Sequence, residues 1–269
     1  MEIPLFPLHT VLCPGIVLPL HVFEDRYRAL TRHCLATGAP FGIVLIRDSP
    51  EAGLGATLAL AGVGALVEIR EAGRYPDGRY DLLAAATGRF AIDSVDPGRA
   101  PYLIADVTPL EDEVGDEQRA ERLAATAIRR FVRYLELMRI RDGETGEALD
   151  IRVELDSPTS GDGIAHDDPD DMGEPLEAVD EHRESSAAPR EPSGSASLAI
   201  PDDPTVLSYL LSGIVQIELP RRQRLLEAET TVERLEVLIG LLDREVFLLG
   251  RRLRFFSPDT RILRGARRS

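Results

Sequence analysis

Apolar positions along this chain change their spacing twice, and each change marks a change of structure. Over residues 1–110 they fall in short runs: FGIVLI (41–46), ALVEIR (65–70), YDLLAAA (80–86), RFAIDSV (89–95) and YLIADVTPL (102–110). Runs of that length at that interval read as β-strands. Between Arg70 and Tyr80, Pro76-Asp77-Gly78 is a hairpin turn signal, and Thr87-Gly88 reads as a second turn. Several short strands with such punctuation predict a small sandwich or barrel. One helix interrupts them. Phe23, Tyr27, Leu30 and Cys34 recur at steps of four, three and four, which stacks them on one face, and Gly38 follows as a stop.

After residue 115 the spacing becomes helical throughout. Leu123, Ala127, Phe131, Leu135 and Met138 step through a long amphipathic helix ending near Arg141. A second helix is predicted to begin at Asp203 or Pro204, and LPRRQRLLEAE (219–229) reads as a short third. Thr230 with Glu233 is a capping-box pattern opening a helix that carries Leu235, Leu238, Leu242, Val246 and Leu249.

Residues 4–30, PLFPLHTVLCPGIVLPLHVFEDRYRAL, set four prolines among core-type side chains. Proline lacks the N–H that a central strand donates, so the stretch is expected as edge strands and turns, with Cys13-Pro14-Gly15 as a bend. Its apolar residues are expected to point into the barrel.

Charge changes the picture of one segment. The formal net charge is −15, yet residues 142–203 hold nineteen Asp or Glu against three Arg, so the remainder sums to about +1. That segment has no Phe, Tyr or Trp and reads as an acidic disordered insertion, unable to bury enough apolar surface to offset the entropy of ordering. The organisation expected is a β-rich part over 1–114, a helical part over 115–141 plus 204–250, the insertion between them, and a basic tail over 251–269. No window approaches the roughly 18 apolar residues of a membrane span. Glu2 and Pro4 stand where a signal peptide carries basic residues and then an apolar run, and two cysteines make no disulfide framework, so a cytoplasmic location is expected. All 31 basic residues are Arg; without Lys the chain holds no P-loop lysine, Schiff-base lysine or Ser–Lys dyad.

Candidate chemistry is sparse. His9, Cys13, His21, His33 and Cys34 crowd together but lack any CxxC or HxxxH pair, so no metal site and no cofactor are expected. Cys34 continues the apolar stripe and reads as an inert buried thiol, and no GxSxG elbow is present. Glu24 and Arg28, four apart, read as an exposed helix pair. Gly53, Gly55, Gly62 and Gly64 read as turn residues, and the Asp167-Asp168 and Asp170-Asp171 pairs as solvated polyanion rather than a calcium loop. The tail, RRLRFFSPDTRILRGARRS, holds seven Arg and one Asp. Arg251, Arg252, Arg254, Arg264, Arg267 and Arg268 are therefore candidates to contact an anion or the acidic segment.

The opening block, FGIVLI, GVGALVEI, DGRYDLLAAATGRFAI and DPTVLSYLLSGIVQIELPRRQRLLEAETTVERLEVLIGLL, taken in that order, resemble the substrate-binding N-terminal domain of the Lon protease family. The resemblance covers residues 1–140 and 204–250. It implies an α+β fold, a PUA-like six-stranded β pseudo-barrel followed by a small helical bundle, without the ATPase and peptidase parts. It also implies a non-enzymatic protein- or peptide-binding module acting as an adaptor or regulator in protein quality control. Implied partners are unfolded or client proteins and a Lon protease, with no membrane. The capture groove is expected at the barrel–helix junction, lined by Leu12, Ile16, Leu18, Phe23 and Tyr27, with strand-edge hydrogen bonds in addition. The alternative is an RNA-binding PUA-like protein, which the near-neutral folded part and scarce aromatics disfavour.

Overall fold

The structure, a computed structural model, describes residues 1–47, 59–142 and 200–256. Six strands make one mixed sheet: β1 (Glu2–Leu8), β2 (Val17–Val22), β3 (Phe41–Leu45), β4 (Val63–Arg74), β5 (Tyr80–Asp96) and β6 (Leu103–Leu110). Their order is β2-β5-β4-β3-β1-β6, and β5 also pairs with β6, so the sheet closes on itself. β5 achieves this by its length. Tyr80–Ala85 pairs with β2 and Arg89–Asp96 with β6, while β4 lies along the opposite edge.

Two sequence expectations fail here for physical reasons. β1 is not an edge strand: it pairs antiparallel with β6 over Glu2–Leu5 and parallel with β3 over Leu5–Leu8. The prolines survive because each lies in a half with one partner, Pro4 beside β6 and Pro7 beside β3. Among the described residues only β2, with Pro19, is an edge. Nor does Thr87-Gly88 turn the chain. Leu66 faces Gly88 and Val67 faces Ala86, so Thr87 is the extra residue of a β-bulge inside one continuous strand.

The barrel interior forms around aromatic rings. Phe6 stacks on Tyr27 at 4.0 Å between centroids, which seats helix α1 (Asp25–Thr37) against β1. Tyr27, Leu30 and Cys34 of that helix are buried, and Gly38 closes it in the left-handed region at φ +70°. Phe23 lies outside the helix and is 62% exposed, so it does not join the stripe. Glu24 and Arg28 do not pair; Glu24 takes Arg26 and Arg28 takes Asp25. Farther along the barrel, Phe90 occupies the space of two missing side chains. A Cβ on Gly42 or on Gly64 would lie 2.6 Å from its Cζ. Gly64 is therefore a strand residue holding open a slot, not a turn.

The bundle comprises α2 (Glu117–Asp142), α3 (Pro204–Ile214), α4 (Leu219–Glu227) and α5 (Thr231–Phe256). Asp203 caps α3 by accepting from the N–H of Thr205 and Val206. Thr230 Oγ1 accepts from the Glu233 N–H, and the Glu233 carboxylate accepts in return from Glu229. α2 buries Ala120, Ala124, Ala127, Phe131, Tyr134 and Leu137 against α5, whose buried row includes Leu235, Leu238, Leu242 and Leu249. Leu135 and Met138, expected in the stripe, sit half-buried at its margin.

Barrel and helices belong to one compact unit. A buried polar knot joins them. Arg89 of β5 donates to the carbonyls of Leu226 and Ala228 at 2.8 Å each. Arg234 of α5, fully buried, donates to the Leu225 carbonyl and lies 3.8 Å over the Tyr209 ring. Asp112, in the connection from β6 to α2, pairs with Arg89 at 2.8 Å and lies 3.7 Å from Arg234. It also accepts from the Tyr209 hydroxyl. Burial first, and the Asp112 hydrogen bond among the lesser causes, pushes that hydroxyl's pKa up. Burial also lowers that of Arg234. The expected insertion over 142–203 lies outside the described residues except at its ends.

Candidate functional site

The edge strand β2 divides its side chains by alternation. Leu18 and Leu20 turn half-buried toward the barrel core, while Val17, Pro19 and His21 face solvent. Phe23 continues that outer face as the chain leaves the strand. Tyr75 reaches it from the β4–β5 hairpin, whose tip turns at Gly78, φ +86°. Arg28 Nη2 donates to the Asp77 carbonyl at 3.3 Å and fastens the hairpin beside α1.

The result is a rim of rings. His21 and Phe23 lie 6.2 Å apart between centroids, and His21 meets Tyr75 edge-on at 6.1 Å. Asp81 organises them: its carboxylate contacts His21 Nδ1 at 2.6 Å and accepts from the Tyr75 hydroxyl. The Tyr75 and then the His21 hydrogen bonds hold the Asp81 carboxyl below the usual range, and the same bond raises the Tyr75 hydroxyl. Arg79 lies 5.4 Å over the Tyr75 ring. Phe23 at 62% exposure, Val17 at 47% and Tyr75 at 41% thus sit in water beside a strand that pairs only with β5 among the described residues. Such a rim can hold apolar side chains on its rings and offer main-chain hydrogen bonds along β2.

A model of the ATP-dependent protease La (Lon) substrate-binding domain matches residues 2–244. The chain belongs to this family. The Lon protease of Azorhizobium caulinodans is 24% identical over 248 residues, 91% of this chain and 23% of that protein. The Lon protease of Flavobacterium johnsoniae is 28% identical over 144 residues, 53% of this chain and 17% of that protein. The chain therefore spans about a fifth of the length of these curated relatives. A Lon N-terminal domain protein from Xanthomonas campestris superposes with a TM-score of 0.51 at 22% identity, covering 89% of this chain and 98% of that one. The N-terminal domain of Mycobacterium avium complex Lon protease gives 0.54 at 16%, covering 90% and 98%. At these identities the structural likeness is one of fold.

Within this Lon substrate-binding domain the five residues expected to line a groove separate. Leu12 and Tyr27 are buried in the barrel core, 4% and 7% exposed, and meet no ligand without opening it. Ile16 is half-buried and packs toward α3, where a Cβ on Gly213 would lie 2.8 Å from its side chain. Leu18 leans on the same core as Leu12. Phe23 alone stands free. A groove of about 390 Å³ does lie between barrel and helices, but Leu45, Ile46, Arg47, Leu219, Pro220 and Gln223 are among its walls. Arg251 and Arg252 are exposed near the end of α5; the Arg254 side chain and Arg264, Arg267 and Arg268 lie outside the described residues. His21, read from the sequence only among possible metal ligands, and Tyr75 were not expected at a rim. Their signal is the proline strand, which puts alternate residues outward, together with the Pro76-Asp77-Gly78 turn that leads into the neighbouring strand β5.

Cys13 and Cys34 are both buried, and burial pushes each thiol up to about 11, so neither is a thiolate at neutral pH. No helix among the described residues is long and apolar enough to cross a membrane.

Proposed function

We propose that this chain is a protein- and peptide-binding module that captures extended apolar segments of client proteins, and that it works as an adaptor or regulator in protein quality control. The observation that carries the reading is the exposed Phe23–His21–Tyr75 rim along the edge of β2 that stands unpaired among the described residues. A client strand lying beside β2 would gain main-chain hydrogen bonds and set alternate side chains on the rings. The family supports a role in handling protein substrates. A Lon protease is a partner consistent with it.

Fluorescence anisotropy with a fluorescein-labelled apolar decapeptide tests this. Replacing Phe23 and Tyr75 together by Ser should weaken binding roughly tenfold or more, as expected for losing the burial of two large rings. Thermal unfolding should be unchanged, since both side chains are exposed. Raising NaCl from roughly 50 to 500 mM should leave the affinity within about twofold, whereas RNA capture would collapse over that range. Equal binding by the Ser variant, or a steep loss with salt, overturns the reading.

A further inference from the structure

A second opening lies away from the rim, in the bundle. It is a cleft of about 510 Å³ where the last turns of α2, the second half of α5 and the connection from α3 to α4 meet. Ligand sites typically have volumes of this order. One wall is apolar, built from Tyr134, Met138, Leu248 and Leu249, while Arg141, Arg222, Arg244 and Arg252 set the charge against Glu218 and Glu245. The lining thus carries a net charge of about +2.

These arginines are unequally committed. Arg244 pairs with Glu245 at 2.7 Å. Arg222 donates from Nη2 to the Val215 carbonyl at 2.7 Å, and its Nε is buried without a hydrogen-bond partner. Among the described residues neither Arg222 nor Arg252 has a carboxylate within ion-pair distance. The floor matters equally. Gln216 donates its N–H to the Tyr134 hydroxyl at 3.1 Å. The next residue, Ile217, joins no backbone hydrogen bond among the described residues.

We infer that this cleft binds a short extended peptide segment that places a carboxylate beside an apolar side chain. The guanidinium of Arg252, with Arg222 behind it, takes the carboxylate. Met138, Leu248 and Leu249 take the apolar group, and Ile217 pairs with the peptide backbone. A nucleic-acid phosphate chain fits less well, because it would leave the apolar wall uncovered and run against Glu218 and Glu245. This site differs from the rim in elements and in chemistry, and it does not rest on the rim being occupied.

The test uses the full chain and two fluorescein-labelled hexapeptides, Leu-Glu-Leu-Asp-Leu-Glu and its amide counterpart Leu-Gln-Leu-Asn-Leu-Gln. The acidic peptide should bind, and the amide peptide about tenfold more weakly. Arg252→Gln, at an exposed position that leaves the fold intact, should weaken the acidic peptide about fivefold. Arg222→Gln should weaken it at least as much, with Tm followed because this residue also braces the Val215 carbonyl. The Phe23→Ser, Tyr75→Ser variant should keep the same preference for the acidic over the amide peptide, which separates this site from the rim. Absence of binding, equal affinity for the two peptides, indifference to Arg252→Gln, or displacement of the acidic peptide by polyuridylate in preference to unlabelled peptide each overturns the assignment.

Discussion

Cys34 shows how far a single residue could be read. Its place in the 4-3-4 stripe marked it as a buried thiol, and it is 3% exposed with its pKa pushed up to about 11. Cys13 gave no such signal, because its burial depends on a bend whose packing is tertiary, yet it reaches the same value. At pH 8 both thiols should react with a disulfide reagent on the order of 100-fold more slowly than in denaturant, where both should label at once. Prompt labelling of either in the native chain would contradict its burial. The sign of the stability effect follows. The folded pKa lies above the ordinary 9.0, so the native state holds protons that the unfolded chain has released. Stability from each thiol is complete below pH 9 and is lost as pH rises through about 11. Urea melts from pH 8 to 10.5 should show this decline, and replacing both cysteines by Ala should lessen it, the remainder belonging to the tyrosines whose hydroxyls are also raised. Phe23 departs from the stripe for the opposite reason: periodicity cannot say whether a residue two positions before a helix still belongs to its buried face.

At the scale of elements, strands were legible as runs and illegible as partners. Proline in β1 argued for an edge by a sound rule, but a strand that changes neighbours midway satisfies the rule from inside the sheet. The Thr87-Gly88 signal likewise stood for a real irregularity, absorbed as a bulge because β5 must curve to meet both β2 and β6. The helices, whose signals are local caps and spacing, were placed nearly as observed. The glycines of β3 and β4 yield a sharp expectation. Gly42→Ala drives a methyl against Phe90 and against Leu5 at 2.8 Å, which should cost about 1–3 kcal/mol in urea unfolding. Phe90→Leu, destabilising alone, should reduce the cost of Gly42→Ala, leaving the part due to Leu5. Additive losses would show that the ring is not what the glycine accommodates.

For the whole molecule, the division into a β part and a helical part was visible in the change of period, but the joint between them was not. Arg89, Asp112, Tyr209 and Arg234 lie in four different elements or connections, and nothing in their local sequence marks them. Only the closed barrel and the returning bundle bring them together. The aromatic rim is hidden in the same way, since His21 and Tyr75 are 54 positions apart. Asp112→Asn keeps the shape of the knot and removes its negative charge, leaving two buried guanidinium groups without compensation. It should cost about 3 kcal/mol and bring barrel and bundle transitions apart when followed by separate probes. A single unshifted transition would show that the backbone carbonyls around Arg89 and Arg234 suffice.

The pairing of α2 with α5 also sets an order of events at the ribosome. Phe131, Tyr134 and Leu137 are synthesised about 100 residues before Leu235 and its neighbours. At usual elongation rates that is a wait on the order of 5–20 s. During it the oily side of α2 waits for the α5 row that covers it in the folded chain. A protein of this family thus begins life in need of the kind of shelter it is proposed to give others.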